Sequence, residues 1–237
     1  MFKRLTDFII RHLAVICGVK AYTKYLRHKG VKIGSNFQIY NIGTINIDLT
    51  RPSLISIGDN VAVNRNFTIL THDYVAGLFI NCYSDFLPSS GKVIIGNNVG
   101  TGQNVMILKG VTIGDNVFIG ANSVVTKDIP SNSIAVGSPC KVIMSLDDYY
   151  NRRKIECVEE ALNYARSIQE RYNRKPIVTD FREEFALFVD GDKIDQFPEI
   201  TDIIKFQLGP AYDYYKANHK AIYSCFDDFL KAAGVDD

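Results

Sequence analysis

The sequence predicts a mainly β chain built as a parallel β-helix, with one helical segment before it and a helical region after it. Three observations predict this: aliphatic residues recur every sixth position, Gly often follows them, and helix-forming composition is confined to the two ends. Reading every sixth residue gives Ile33, Ile39 and Ile45, then Ile57, Val63, Ile69 and Val75, then Ile95, Thr101, Ile107, Ile113, Ile119 and Val125. A period of six is commensurate with the two-residue alternation of a strand and adds a regular corner, so each hexad is one short strand plus a turn. Three hexads close a triangular turn of the chain, and stacked turns bury the aliphatic positions. Gly or Asn at the corners, as in Ile57-Gly58 and Ile95-Gly96, tolerates backbone angles that a β-branched residue resists.

The repeat has two interruptions. One contains Pro52, between Ile45 and Ile57; the other runs from Ala76 to Lys92 and carries Phe79, Tyr83, Phe86 and Pro88, which predicts a loop that leaves the coil. Three regions follow: an N-terminal helical cap over 1–30, the β-helix over 31–144 with its loop at 76–92, and helices over 145–237.

At the N-terminus Phe2, Leu5, Ile9, Leu13 and Ile16 are spaced by three and four, which predicts an amphipathic helix with a basic opposite face. It has two readings, a cap over the first coil or weak peripheral contact of residues 1–28 with an anionic membrane surface. After Met144, Leu146–Tyr172 predicts a long helix ended by Pro176, Asp180 predicts a cap for a helix over Phe181–Val189, and Pro210 opens a helix running to about Ala233. The aromatic face of that last segment, Tyr214, Tyr215, Tyr223, Phe226 and Phe229, reads as packing surface.

Composition narrows the function classes. The 237 residues carry 27 basic and 26 acidic side chains, a formal net charge of +1, so no overall field selects nucleic acid. Cys17, Cys82, Cys140, Cys157 and Cys225 are scattered without a metal-ligand spacing, which fits a reducing, cytoplasmic compartment. Arg11 interrupts the first apolar stretch, and His12 to Val19 falls far short of the roughly 20 residues a bilayer span needs, so neither a signal peptide nor a transmembrane helix is expected. His72, in ILTHDY, is the one histidine among the hexads, three residues after inward Ile69 and at a corner. Imidazole is suited to take a hydroxyl proton near neutral pH. Asp73 is a candidate to orient the ring, although neighbours on an extended segment point apart. Asn46, one coil earlier, is a candidate to bind an acceptor or steer the base.

The stretch IGNNVGTGQNVMILKGVTIGDNVFIGANSVVTKDIPSNSIAVGSPCKVI, from Ile95 to Ile143, together with the preceding THD, resembles the hexapeptide-repeat acyltransferases, particularly sugar and polysaccharide O-acetyltransferases related to galactoside and maltose acetyltransferases. The resemblance covers about half the chain. It implies a left-handed parallel β-helix, a homotrimer with active sites between subunits, acetyl-CoA as co-substrate without a metal, and a sugar or glycan acceptor. It also implies His72 as catalytic base and Gln103, Ala121, Thr126, Lys127 and Lys141 as cofactor contacts, the lysines meeting the nucleotide phosphates. Phe79, Tyr83 and Phe86 are expected either to stack on the acceptor sugar or to form trimer contacts. Gly100 and Thr101 stand where many relatives have Trp and Ile, which puts the acyl-chain preference in question.

Rival readings on the same scaffold are N-acetylation of an amino-sugar nucleotide and a non-catalytic β-helix. A zinc hydratase would need three histidines, and His12, His28 and His219 all lie outside the hexads.

Overall fold

The computed structural model describes residues 2–235, with side chains from Phe8 onward, and divides into two compact units, Met1–Tyr149 and Tyr150–Asp237. The first unit is a stack of triangular coils. One side is the parallel sheet β1 (Lys32–Ile33), β4 (Ile55–Ile57), β7 (Val93–Ile95) and β10 (Thr112–Ile113). A second holds β2 (Gln38–Ile39), β5 (Ala62–Val63), β8 (Val99–Thr101), β11 (Val117–Ile119) and β13 (Ser133–Val136). The third holds β3 (Asn46–Ile47), β6 (Thr68–Ile69), β9 (Met106–Ile107) and β12 (Val124–Val125). These sheets fit the parallel β-helix that the repeat predicts and the left-handed form that the resemblance implies. The description "mainly β" needs correction, because the chain is 45% helical. Each hexad gives only two or three residues to a strand and the remainder to corners, whereas the flanking segments are helical over long runs.

The column of inward residues runs Ile57, Ile95, Ile113 on one side and Ile47, Ile69, Ile107, Val125 on another, all buried. Burying each such side chain stabilises by roughly 1.5–3 kcal/mol, an upper figure because the unfolded chain already shields some of it. Thr101 is also inward and buried; its hydroxyl accepts the Asn64 N–H at 3.3 Å, which satisfies the polar atom in an aliphatic column.

Corners are made by two residue types with separate tasks. Asn36, Asn60, Asn66, Asn98, Asn104, Asn116, Asn122 and Asn132 take the left-handed backbone conformation, and their amides hydrogen-bond from coil to coil, as in Asn66→Asn104→Asn122. The glycines after the aliphatic residues are needed for closeness instead: a Cβ on Gly58 would lie 2.5 Å from the Gly96 carbonyl oxygen.

The hexad phase departs from the sequence reading at two places. Ile47, not Ile45, is the residue in register with Ile69, because a 3-10 turn at Ile42–Thr44 takes up two extra residues. Val75 is not in the coil; it precedes the short helix α3 (Ala76–Tyr83), which forms the first part of the predicted 76–92 loop. An isolated antiparallel bridge between His72 and Ser90, with the Gly91 N–H donated to the Thr71 carbonyl, closes the base of that excursion.

At the N-terminus the single predicted helix is two, α1 (Phe2–Ile16) and α2 (Val19–Lys29), separated at Gly18 with φ 92°. The side chains of Phe2 and Leu5 lie outside the described residues. α2 packs Tyr22, Tyr25 and Leu26 into the β-helix core and ends at Gly30 in the left-handed conformation. The last coil is closed by β14 (Lys141–Ser145), antiparallel to β13.

α4 (Leu146–Tyr172) spans the predicted range. In the second unit it is followed by α5 (Pro198–Leu208), α6 (Tyr212–Asn218) and α7 (Phe226–Ala233). The expected helix over Phe181–Val189 reduces to a 3-10 turn at Glu184–Leu187. Asp180 does not cap it: its carboxylate accepts the Ile177 N–H and pairs with Arg174. The expected helix from Pro210 to Ala233 is broken after Asn218, and α5 was missed. Phe181 meets Phe188, Phe226 and Phe229 edge-on, Phe188 is tilted against Phe226 and Phe229, and Phe226 stacks on Phe229, so aromatic packing gathers these segments. Among the described residues, no helix is long and apolar enough to cross a membrane.

Candidate active site

Two irregular corners lie one above the other. After β3 the chain runs ten residues from Ile47 to Ile57, through a 3-10 turn at Pro52–Leu54; after β6 it makes the excursion that returns at Val93. Asp48 and Thr50 stand at the start of the first corner, and Thr71 and His72 at the start of the second.

Asp48 is buried and receives donors on both oxygens. Its Oδ1 accepts the Thr50 N–H at 3.0 Å and the Thr50 hydroxyl at 2.7 Å. Its Oδ2 accepts the Thr71 N–H at 3.0 Å, the Thr71 hydroxyl, and His72 Nδ1 at 2.6 Å. Burial alone would push this carboxyl up, but the hydrogen bonds from Thr50, Thr71 and His72 outweigh it and hold the group well below the usual carboxylate range. An ionised carboxylate only accepts, so the Nδ1 facing it carries a proton, and in the neutral form of the ring the lone pair lies on Nε2. The His72 side chain is 13% exposed and that of Asp48 5%.

His72 lines an open cleft of about 360 Å³. Leu70, Leu108 and Thr126, each the residue directly after β6, β9 and β12, form one wall, while Asp73, Tyr74 and Lys109 complete it. Tyr74 sets its ring edge-on to the imidazole at 5.0 Å between centroids.

The structure redistributes several expected roles. Asp73 does not orient His72; it is bonded by Lys109 and by the Ser89 hydroxyl at 2.9 Å, and so ties the excursion to the next coil. The reason is the one that an extended segment imposes, since adjacent side chains diverge. Asn46 is exposed on β3, and the ring is held instead by Asp48, two positions further on. The two-residue slip at Ile42–Thr44 hid this pairing: Asp48 falls beside Leu70 only when Ile47 is matched to Ile69. An acidic residue directly after an inward aliphatic, followed by Thr50, was the available signal.

Thr126 is the one expected cofactor contact that lines the His72 cleft. Gln103 and Ala121 stack on each other at the opposite edge of the β9–β12 sheet, Lys127 follows Thr126, and Lys141 is exposed on β14. Phe79 and Tyr83 pair on α3 at 6.3 Å, and neither they nor exposed Phe86 line the cleft, where Tyr74 stands instead. Beside Gly100, in register on the next coil, the Phe118 ring occupies space where a side chain would project: a Cβ on Gly100 would lie 3.0 Å from it.

Comparison with known proteins gives the family. A family model described as "Bacterial transferase hexapeptide (six repeats)" matches residues 92–127. The putative acetyltransferase SAV2555 of Staphylococcus aureus (strain Mu50 / ATCC 700699) is 40% identical over 135 residues, which are 47% of this chain and 68% of that protein. The chain belongs to the hexapeptide-repeat acyltransferase family. A further relative, the galactoside O-acetyltransferase of Escherichia coli (strain K12), is 37% identical over 131 residues, so this hexapeptide-repeat chain matches 53% of its own length and 62% of that relative's. The crystal structure of a maltose O-acetyltransferase from Clostridium difficile 630 is 35% identical, covers 53% of this chain and 75% of its own, and superposes with a TM-score of 0.37. The matched residues 92–127 of the family model include the wall formed by Leu108 and Thr126, whereas Asp48 and His72 precede them.

Proposed function

We propose that the protein is an acetyl-CoA-dependent O-acetyltransferase acting on a sugar or surface-polysaccharide hydroxyl, by direct transfer with His72 as general base. The observation that carries this is the Asp48–His72 pair at 2.6 Å on the edge of an open cleft. The carboxylate fixes the Nδ1 proton and leaves Nε2 as the basic atom, the arrangement that hydroxyl activation needs. Asp48 is a positioning residue, since it acts through the ring.

The residues suggested for acetyl-CoA suit it chemically: Ala121 is small and exposed, and Lys127 and Lys141 are exposed cations able to meet phosphates. The placing of Gln103 and Ala121 before β9 and β12, of Thr126 and Lys127 after β12, and of Lys141 on another sheet supports a site completed by a second copy, as a homotrimer with the cleft between subunits would provide. Acetyl-CoA, when bound, supplies the acetyl group as a thioester. Nε2 of His72 takes the acceptor hydroxyl proton as the new C–O bond forms and the C–S bond breaks, then returns that proton to the departing sulfur. The ring becomes cationic in between, and the buried Asp48 carboxylate stabilises that state. The reading places the protein in the cytoplasm.

Labelled acetyl-CoA incubated with candidate glycans, with wild type and His72→Ala compared by mass spectrometry, tests the proposal. An alkali-labile acetyl product lost in the variant is the expected result. An alkali-stable product would move the acceptor to an amine, and full activity in a folded His72→Ala protein would end the base assignment.

A further inference from the structure

The apolar stripe of α1 faces outward. Phe8, Ile9, Leu13 and Ile16 are 58%, 48%, 56% and 80% exposed. At 100° per residue these four positions lie within one arc of the helix, whereas the edge turned inward is narrow: Ala14 is buried, Val15 half-buried, and Arg11 faces Tyr22 of α2. An amphipathic helix ordinarily buries its apolar side. Here α2 supplies most of the cap over the first coil, joined by Ala14 and Val15 of α1, and the greasier face of α1 is left without a partner among the described residues.

Charge indicates what covers that face. Residues 1–29 contain seven Lys and Arg and one acid, Asp7, while the remainder of the chain carries twenty basic and twenty-five acidic residues. Basic residues are therefore concentrated in the first 29 positions of a near-neutral chain. Lys20 and Lys24 are exposed and make no ion pair among the described residues. Exposed aliphatic and aromatic side chains, with exposed lysines on the adjoining helix and one acid in the first 29 residues, are the complement of an anionic bilayer surface. The apolar residues enter the acyl boundary and the cations meet the headgroups.

We propose that α1, with the cations of α2, docks the protein peripherally on an anionic phospholipid membrane. This is independent of the transfer reaction. Sedimentation of the full chain with vesicles tests it, using phosphatidylcholine alone and phosphatidylcholine mixed with phosphatidylglycerol. The protein is expected to pellet with the mixed vesicles, to stay in solution with the neutral ones, and to be released by salt. Leu13→Asp with Ile16→Asp should abolish pelleting, and Lys20→Glu with Lys24→Glu should weaken it by at least about tenfold. Circular dichroism checks that each variant is folded. Wild type that fails to pellet, or that pellets equally on both vesicles whatever the variant, overturns the proposal. So does a change in oligomeric mass for Leu13→Asp/Ile16→Asp without any vesicle binding in wild type, which would make the face a contact between copies.

Discussion

The two halves of the β-helix differ in a way that separates scaffold from site. From Ile95 to Val125 every side takes six residues, partners such as Met106 and Val124 are 18 apart, and the Asn ladder runs uninterrupted. From Ile33 to Ile69 the corners are uneven: 22 residues separate Asn46 from Thr68, and 26 separate Ile69 from Ile95. The Asp48–His72 pair sits where two of those irregular corners stack. Regular repeats give a rigid wall, and departures from the repeat bring polar side chains of different coils together above it.

Variants can break either half, and the expected effects differ in kind. His72→Ala should lower kcat by about 100- to 10,000-fold with little change in the urea midpoint, since its loss removes a base and not a buried column. In the regular half, Ile107→Ala should cost about 2–5 kcal/mol of unfolding free energy, read from urea titration, because the coils above and below prevent collapse around the cavity.

Asp48→Asn should destabilise by roughly 1.5–3 kcal/mol, the range for hydrogen bonds to a charged group. Because the folded Asp48 carboxyl is held below its unfolded value, its contribution is fully present above about pH 4 and is lost as pH falls further. Wild type should therefore lose stability on acidification below about pH 4 more steeply than Asp48→Asn, measured as Tm against pH. The smallest effect belongs to the ladder. Asn104→Ala should cost about 1–2 kcal/mol for an ordinary residue at positive φ, and Asn104→Gly less, measured by the same titration.

Where the periodicity was unbroken, inward positions could be read directly, because a strand's alternation and a six-residue corner are local properties. His72 was legible as a lone imidazole at a corner. Asp48 was not, because matching it to His72 needs the number of residues consumed by the Ile42–Thr44 turn, and no local pattern states that number. The same limit applied at the C-terminus. There, Phe181, Phe188 and Phe229 came together through aromatic packing that outweighs the helix propensity between Pro210 and Ala233.

By itself the sequence determined the repeat, the buried columns from Ile95 to Val125, the Asn and Gly corners and the family, all of which follow from residue type at fixed spacing. Only the tertiary structure decided which carboxylate holds His72, which face of α1 is left exposed, and that Gln103 and Ala121 lie across a sheet from Thr126. These depend on register between coils and on packing between helices, which are set by the stacked whole and not by any one segment.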